Sequence, residues 1–246
     1  VRGLGYLVDP EDERDRPLRL LIGHLADSPP PPSADVSHPA VFARDQGLTN
    51  SCTGQAWAQA VRLSMLTHGR RCPELSALFS YFTGRAEWNG HTGGDFGSYL
   101  RSGAAAAVRF GIAAETAWPF AAELVSRQPP IGAFRSAHDL RGARGYYRLP
   151  SGEPNAVRRA LAEGHPVVGG WQVGPRFVDN VGAVVEPEVE SIGGHAVVLV
   201  GYDADGTFRL LNSWGRAWGR GGFALASEAW VATGVDLWVV DAKGGP

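Results

Sequence analysis

The stretch GGHAVVLVGYDADGTFRLLNSWG, Gly193–Gly215, decides the fold class. Ala196–Tyr202 is an apolar run rich in valine, and Thr207–Leu211 is a second strand-like run. Between them Asp203-Ala204-Asp205-Gly206 reads as a hairpin turn. A two-residue loop at 204–205 sets Asn212 opposite Val197. His195 and Val197 share a face because strand side chains alternate with period two. Asn212 then lies diagonally across from His195, roughly 7–8 Å away along the backbones. A three-residue loop would put the two on opposite faces.

Further strand-like runs flank this hairpin. They are Pro166–Trp171, Gly222–Leu225 and Val235–Val240, with one short helix over Asn155–Glu163. The first half of the chain reads differently. From Ser51 to about His68, Ala56, Trp57, Ala60, Val61, Ser64 and Met65 recur at helical spacing, and Asn50 or Ser51 can cap the start. Leu75–Arg85 and Ser98–Phe110 are two more helices, the latter stopped at Gly111. Helices followed by antiparallel strands give an α+β fold in two lobes. Residues 1–40 are charged and turn-rich, with four prolines at 29–32. They read as an arm on the surface, or a linker.

The 246 residues are 44% hydrophobic, enough for one well-buried domain or two lobes sharing a core. A net charge of -2 gives no reason to expect nucleic acid or a membrane surface as partner. No apolar run approaches the roughly 18–20 residues that span a bilayer, and the opening residues lack a leader's apolar core. Two cysteines exclude a disulfide scaffold and the usual structural zinc site. These features set the expectation of a cytoplasmic, reducing location, without metal or cofactor.

Cys52 stands where a helix begins, and a helix N-terminus favours a thiolate. An activated thiol also needs a base. Of the seven histidines, His24, His38, His68, His91, His138 and His165 lie in polar or turn-rich surroundings and read as solvated. His195 heads an apolar strand with Asn212 in reach to orient its ring. The backbone N–H of Cys52 and the side-chain amide of Gln46 are candidate donors to a developing oxyanion.

These residues resemble a family. RDQGLTNSC, Arg44–Cys52, resembles the cysteine segment of papain-like cysteine peptidases. GGHAVVLVGYD and NSWGRAWGRGGF, Gly193–Asp203 and Asn212–Phe223, resemble their histidine and asparagine motifs. GYLVDPEDERD, ELSALFSYFTGR, DFGSYLR and ALAEGHPVVGG extend the resemblance over roughly Gly5–Trp230, in the manner of bacterial members. It implies a papain-like two-lobe fold, with a helical lobe over about 45–140 and a β-rich lobe over about 141–246. A cleft runs between them. The catalytic domain spans 41–246, and the 1–40 arm packs on it or partly covers the cleft.

By the same resemblance Cys52 is the nucleophile, His195 the acid/base, Asn212 its orienter and Gln46 the oxyanion donor. Gly97, Ser98, Gly194 and Trp214 contact substrate, Trp214 also shielding the His195–Asn212 bond. The implied protein is a monomeric cysteine endopeptidase acting on proteins or peptides. The alternatives are another acyl transfer with the same triad, or an inactive binding module. Several residues depart from the family pattern. Thr53 stands for a tryptophan, and Thr49 for a disulfide cysteine, which leaves Cys72 a free thiol. Phe223 replaces a tyrosine, and Ser98 replaces a glycine and would narrow the cleft. No inhibitory propeptide of the usual length precedes the domain. The acidic loop Val184–Ser191 reads as solvated, or else as a gate or a bias toward basic substrates.

Overall fold

A computed structural model describes residues 2–90 and 92–242. His91, one of the histidines read as solvated, lies outside them. The chain opens with a short strand β1 (Tyr6–Leu7), a one-turn helix α1 (Arg19–Ile22) and β2 (Ala34–Asp35). The helical lobe follows, with α2 (Cys52–Thr67), α3 (Ala77–Asn89), β3 (Ser98–Tyr99), α4 (Leu100–Phe110) and α5 (Ile131–Asp139). The second lobe holds β4 (Gly145–Leu149), α6 (Pro154–Ala162), β5 (Val167–Val173), α7 (Pro175–Val178), β6 (Gly193–Tyr202), β7 (Phe208–Leu211), β8 (Phe223–Ala226), α8 (Glu228–Ala232) and β9 (Asp236–Asp241).

α2 is buried on nearly every face, which suits a sequence of small and apolar residues packed between two lobes. Trp57 on it donates from Nε1 to Leu100 O (3.0 Å), tying α2 to α4. α4 ends at Gly111 with φ 77°, the stop its sequence predicts. The sheet runs β4-β9-β5-β6-β7-β8, and β2 also pairs with β6. The pairings in this sheet are antiparallel. β6 is central and apolar throughout, with every residue from His195 to Tyr202 buried.

The hairpin departs from expectation in an instructive way. Asp203 N–H donates to Thr207 O (2.9 Å), so the loop has three residues, 204–206. Next to it Tyr202 pairs with Phe208 and Gly201 with Arg209. A bulge between Leu199 and Gly201 then shifts the ladder by one, so Leu199 pairs with Leu210 and Val198 with Leu211. The bulge restores the register that a two-residue turn gives, and Asn212 continues toward Val197.

The arm is woven into the fold. β2 extends the sheet, and Tyr202 donates its hydroxyl to Pro31 O (2.7 Å). Further along the arm, Asp15 receives Arg101 and Arg148, each within 2.8 Å. His165 also departs from expectation. It is as buried as His195, and its ring lies tilted beside that of His68, centroids 5.7 Å apart, where α6 turns into β5.

Candidate active site

Cys52, His195, Asn212 and Gln46 all show no solvent exposure. Cys52 is the first residue of α2. The residue before it, Ser51, stands at the helix N-cap without a side-chain capping bond; its hydroxyl pairs with that of Thr49 (2.7 Å). Asn50 does not cap either, because its side chain is committed elsewhere: Nδ2 donates to Asp95 O (2.7 Å) and Oδ1 accepts from Leu4 N–H (3.1 Å).

The thiol of Cys52 takes backbone N–H contacts from Ala196, the neighbour of His195, and from Gly5 of the arm. The Nε2 of His195 lies 2.7 Å from Asn212 Oδ1. An amide oxygen only accepts, so Nε2 carries the proton and Nδ1 keeps its lone pair. Nδ1 has no hydrogen-bond partner among the described residues. Asn212 Oδ1 accepts a second bond from Ser213 N–H (2.7 Å), which holds the amide plane. Trp214 covers this pair, its ring centroid 4.3 Å from that of His195. Phe177 of α7 packs edge-on against both rings, at 5.9 Å and 5.4 Å.

Two loops carry Gln46 to this point. Asp45 and Trp214 form an antiparallel bridge, and Gln46 N–H donates to Ser213 O (2.9 Å). Ser213 also donates its hydroxyl to Gln46 Oε1 (2.7 Å). That contact fixes the amide orientation, so Nε2 faces Thr49 O (2.7 Å) and Gly3 O (3.2 Å).

The arm threads this cleft. Gly3 O is on Gln46 Nε2, and Leu4 N–H is on Asn50. Gly5 N–H is on the thiol, and Gly5 O accepts from Ser98 N–H (2.8 Å). A Cβ at Gly3 or Gly5 would stand 1.8 Å from the carbonyl oxygen of Thr49 or Asn50. Only glycine allows this approach. β1 pairs parallel with β3, and Tyr6 lies between Gly170 and Gly194. Its hydroxyl donates to the fully buried Asp236 (2.6 Å). Asp236 also accepts Asp9 N–H (2.7 Å) and pairs with Arg148 (2.6 Å). Asp9 in turn accepts from Trp238 Nε1 (2.9 Å) and Arg101 N–H (3.1 Å).

Gly97, Ser98 and Gly194 meet the arm in the cleft, whereas Trp214 is fully buried against His195, and Ser98 does not narrow the cleft. Its backbone meets the arm, while its hydroxyl sits beside Gly84 of α3. The acidic loop is largely structural. Glu188 accepts the N–H groups of Arg176 and Phe177 at the start of α7 (both 2.9 Å), and Glu186 accepts from Ser227 (2.5 Å). Cys72 is free and buried, as is Cys52. Among the described residues no group of His, Cys, Asp or Glu is placed to hold a metal ion, and no helix is long and apolar enough to cross a membrane.

With the arm in place burial favours the neutral form of both titrating partners. Burial pushes the Cys52 thiol up to about 11, against the pull of its N–H contacts. Burial pushes His195 down to about 4, opposed by its bond to Asn212. Sequence reading missed Ser213, Phe177, Tyr6, Asp236 and the Asn50–Asp95 contact. The alternating glycines of Arg2-Gly3-Leu4-Gly5-Tyr6 carried a signal for close backbone approach.

An uncharacterized peptidase C1-like protein of Acanthamoeba polyphaga mimivirus is 31% identical over 214 residues, covering 80% of this chain and 68% of the viral protein. Xylellain, a cysteine protease from Xylella fastidiosa, superposes with a TM-score of 0.83 at 27% identity, over 97% of this chain and 96% of its own. Digestive procathepsin L 3 of Tenebrio molitor larval midgut shares the fold at 24% identity, with a TM-score of 0.76 over 97% of this chain and 75% of its own. The profile of the papain family cysteine proteases matches residues 31–235. The chain belongs to that family, with its two-lobe fold, and is a cysteine protease.

Proposed function

We propose that the protein hydrolyses peptide bonds through Cys52, His195 and Asn212, and that its own N-terminal arm restrains it. The observation that carries this reading is the 2.7 Å bond from His195 Nε2 to Asn212 Oδ1, on a strand whose next residue contacts the Cys52 thiol. That bond leaves Nδ1 free to take the thiol proton. The thiolate then attacks the substrate carbonyl carbon, forming a C–S bond, and the oxyanion is met by Gln46 Nε2 and the Cys52 N–H. His195 returns the proton to the leaving nitrogen as the C–N bond breaks. A water molecule, deprotonated by His195, cleaves the thioester and regenerates the thiol.

The arm occupies the same places. Its Gly3 carbonyl sits on Gln46, and its Gly5 N–H sits on the thiol. Burial under it keeps thiol and imidazole neutral, so no ion pair forms until the arm lifts.

The test is labelling by an iodoacetyl or epoxide peptide, located by mass spectrometry. The intact chain labels slowly at pH 7, and its labelling rises only toward pH 11. Gly5→Leu, whose side chain cannot pass Asn50, labels fast at Cys52 near neutrality, and His195→Ala in that background loses the gain. Equal labelling of Cys72 and Cys52 in the Gly5→Leu chain, or no change on Gly5→Leu, refutes the reading.

A further inference from the structure

Both donors assigned to the oxyanion, Gln46 Nε2 and the Cys52 N–H, lie in one loop, residues 46–52. The loop is first tied to itself. Gln46 Nε2 donates to Thr49 O (2.7 Å), and Thr49 returns its hydroxyl to Gln46 O (2.8 Å). That bond uses the only hydroxyl hydrogen of Thr49, so Ser51 is the donor in its contact with Thr49 (2.7 Å). Such bonds keep the shape of the loop but do not set where it sits. Ser213 of the sheet lobe places the Gln46 end. The Cys52 end has no disulfide to hold it, since Cys52 and Cys72 are both free, and α2 starts without a side-chain cap.

Asp95 supplies the missing tie. Its Oδ2 accepts Asn50 N–H (2.8 Å), and its backbone carbonyl accepts Asn50 Nδ2 (2.7 Å). Contacts on backbone and side chain together fix the rotation of Asn50 as well as its position. Asp95 Oδ1 accepts the hydroxyl of Tyr81 on α3 (2.8 Å), and that hydroxyl accepts Gly97 N–H (2.9 Å). Tyr81 is buried, with Arg85 stacked 4.1 Å over its ring. Arg85 is buried too and commits its guanidinium to the carbonyls of Gly94 and Val125. The same tyrosine meets the first turn of α2, where a Cβ at Gly54 would stand 2.6 Å from Tyr81 Cβ. α3 thus braces the nucleophile's helix directly, and the loop before it through Asp95. None of these contacts involves the arm. A carboxylate suits the place because each of its oxygens accepts, whereas an amide would turn an N–H toward one of the two donors.

We propose that Asp95 is a positioning residue of the reaction, setting where the Cys52 N–H stands relative to Gln46 Nε2, with Tyr81 as its anchor. The inference rests on the acyl-transfer reading above. Its effect falls on the oxyanion. Thiolate formation depends on His195 and on the start of α2, whereas the side-chain contacts of Asp95 end on Asn50 and Tyr81.

The experiment uses the full chain carrying Gly5→Leu, with Gly3→Leu as a second arm-unseated background. Hydrolysis of a peptide amide, which passes through an oxyanion, is compared with alkylation of Cys52 by iodoacetamide, which forms none. Asp95→Asn should lower kcat about tenfold and leave KM and the alkylation rate within about twofold. Asp95→Ala should lose at least as much, and Tyr81→Phe, which keeps the carboxylate, should lose less. In a Gln46→Ala chain the loss on Asp95→Asn should shrink, because both residues act on one oxygen. The alkylation rate also reports that each variant is folded around Cys52 and His195; Asp95→Asn carries the test if Asp95→Ala does not fold. Alkylation that falls in step with kcat, an unchanged kcat in Asp95→Asn, or losses that simply multiply with that of Gln46→Ala overturn the role of Asp95 while the triad stands. Absence of amide hydrolysis by both arm-unseated chains, with Asp95 intact, overturns the acyl-transfer reading and this inference with it.

Discussion

The two walls of the cleft are built on different principles. The sheet wall carries His195 on β6 and Asn212 just past the end of β7, inside a box of Trp214, Phe177, Trp218 and Trp230. Ladder register and aromatic burial set its geometry. The loop wall carries Gln46, Asn50 and residues 95–97 on irregular backbone that leads into β3. Side-chain hydrogen bonds from Ser213, Asp95 and Tyr81 set its geometry. Burial energy is large and cooperative, whereas each polar contact is worth only about 1 kcal/mol net. Damage to the sheet wall should therefore appear as lost stability, and damage to the loop wall as lost rate in a stable protein.

The strongest way to break that contrast is Trp214→Ala. Removing a fully buried tryptophan should cost about 3–5 kcal/mol, read as a lower midpoint in urea denaturation. A loss below about 1 kcal/mol would mean that burial does not hold this wall. Ser213→Ala sharpens the other side. It removes the donor that orients Gln46, so kcat in the Gly5→Leu chain should fall about tenfold while stability drops by only about 1 kcal/mol. A stability loss as large as that of Trp214→Ala would erase the distinction.

The smallest effect concerns the arm, which bridges both walls. Asp9 faces Asp236, Arg101, Trp238 and Tyr6, and Arg148 pairs with Asp236 behind it. Burial first and the Asp236 carboxylate second push its carboxyl up to about 7. The bound arm thus favours the protonated acid. Its contribution to seating is complete below about pH 4 and is lost as pH rises through about 7. Amide exchange protection over residues 3–9, corrected for intrinsic rates, should decline across that window, and Asp9→Asn should flatten the decline. Protection that increases with pH would contradict this sign.

The sheet wall was the legible one. A strand reveals itself by local alternation, and His195 and Asn212 sit in a single stretch joined by a turn. Even there the facing rests on a bulge at Val200 that no local rule announces, offsetting a turn one residue longer than expected. The loop wall was less legible, because its contacts are long-range and its residues have generic alternatives. Asn50 before a helix reads as a cap, yet its partners are Asp95, 45 residues on, and Leu4, 46 residues back. Asp236 reads as an ordinary strand-start carboxylate, and only the arm's Tyr6 and Asp9 and the sheet's Arg148 explain its complete burial.

The two arm glycines have a further consequence. A tethered segment works at an effective concentration of order millimolar. Half-occupancy then needs only about 4 kcal/mol of intrinsic affinity. At an affinity near that threshold, the same residues cut free would dissociate at micromolar protein. A single nick near the exposed Glu13-Arg14 pair would turn a built-in competitor into a diffusible one, and dilution alone would then act as the activating signal.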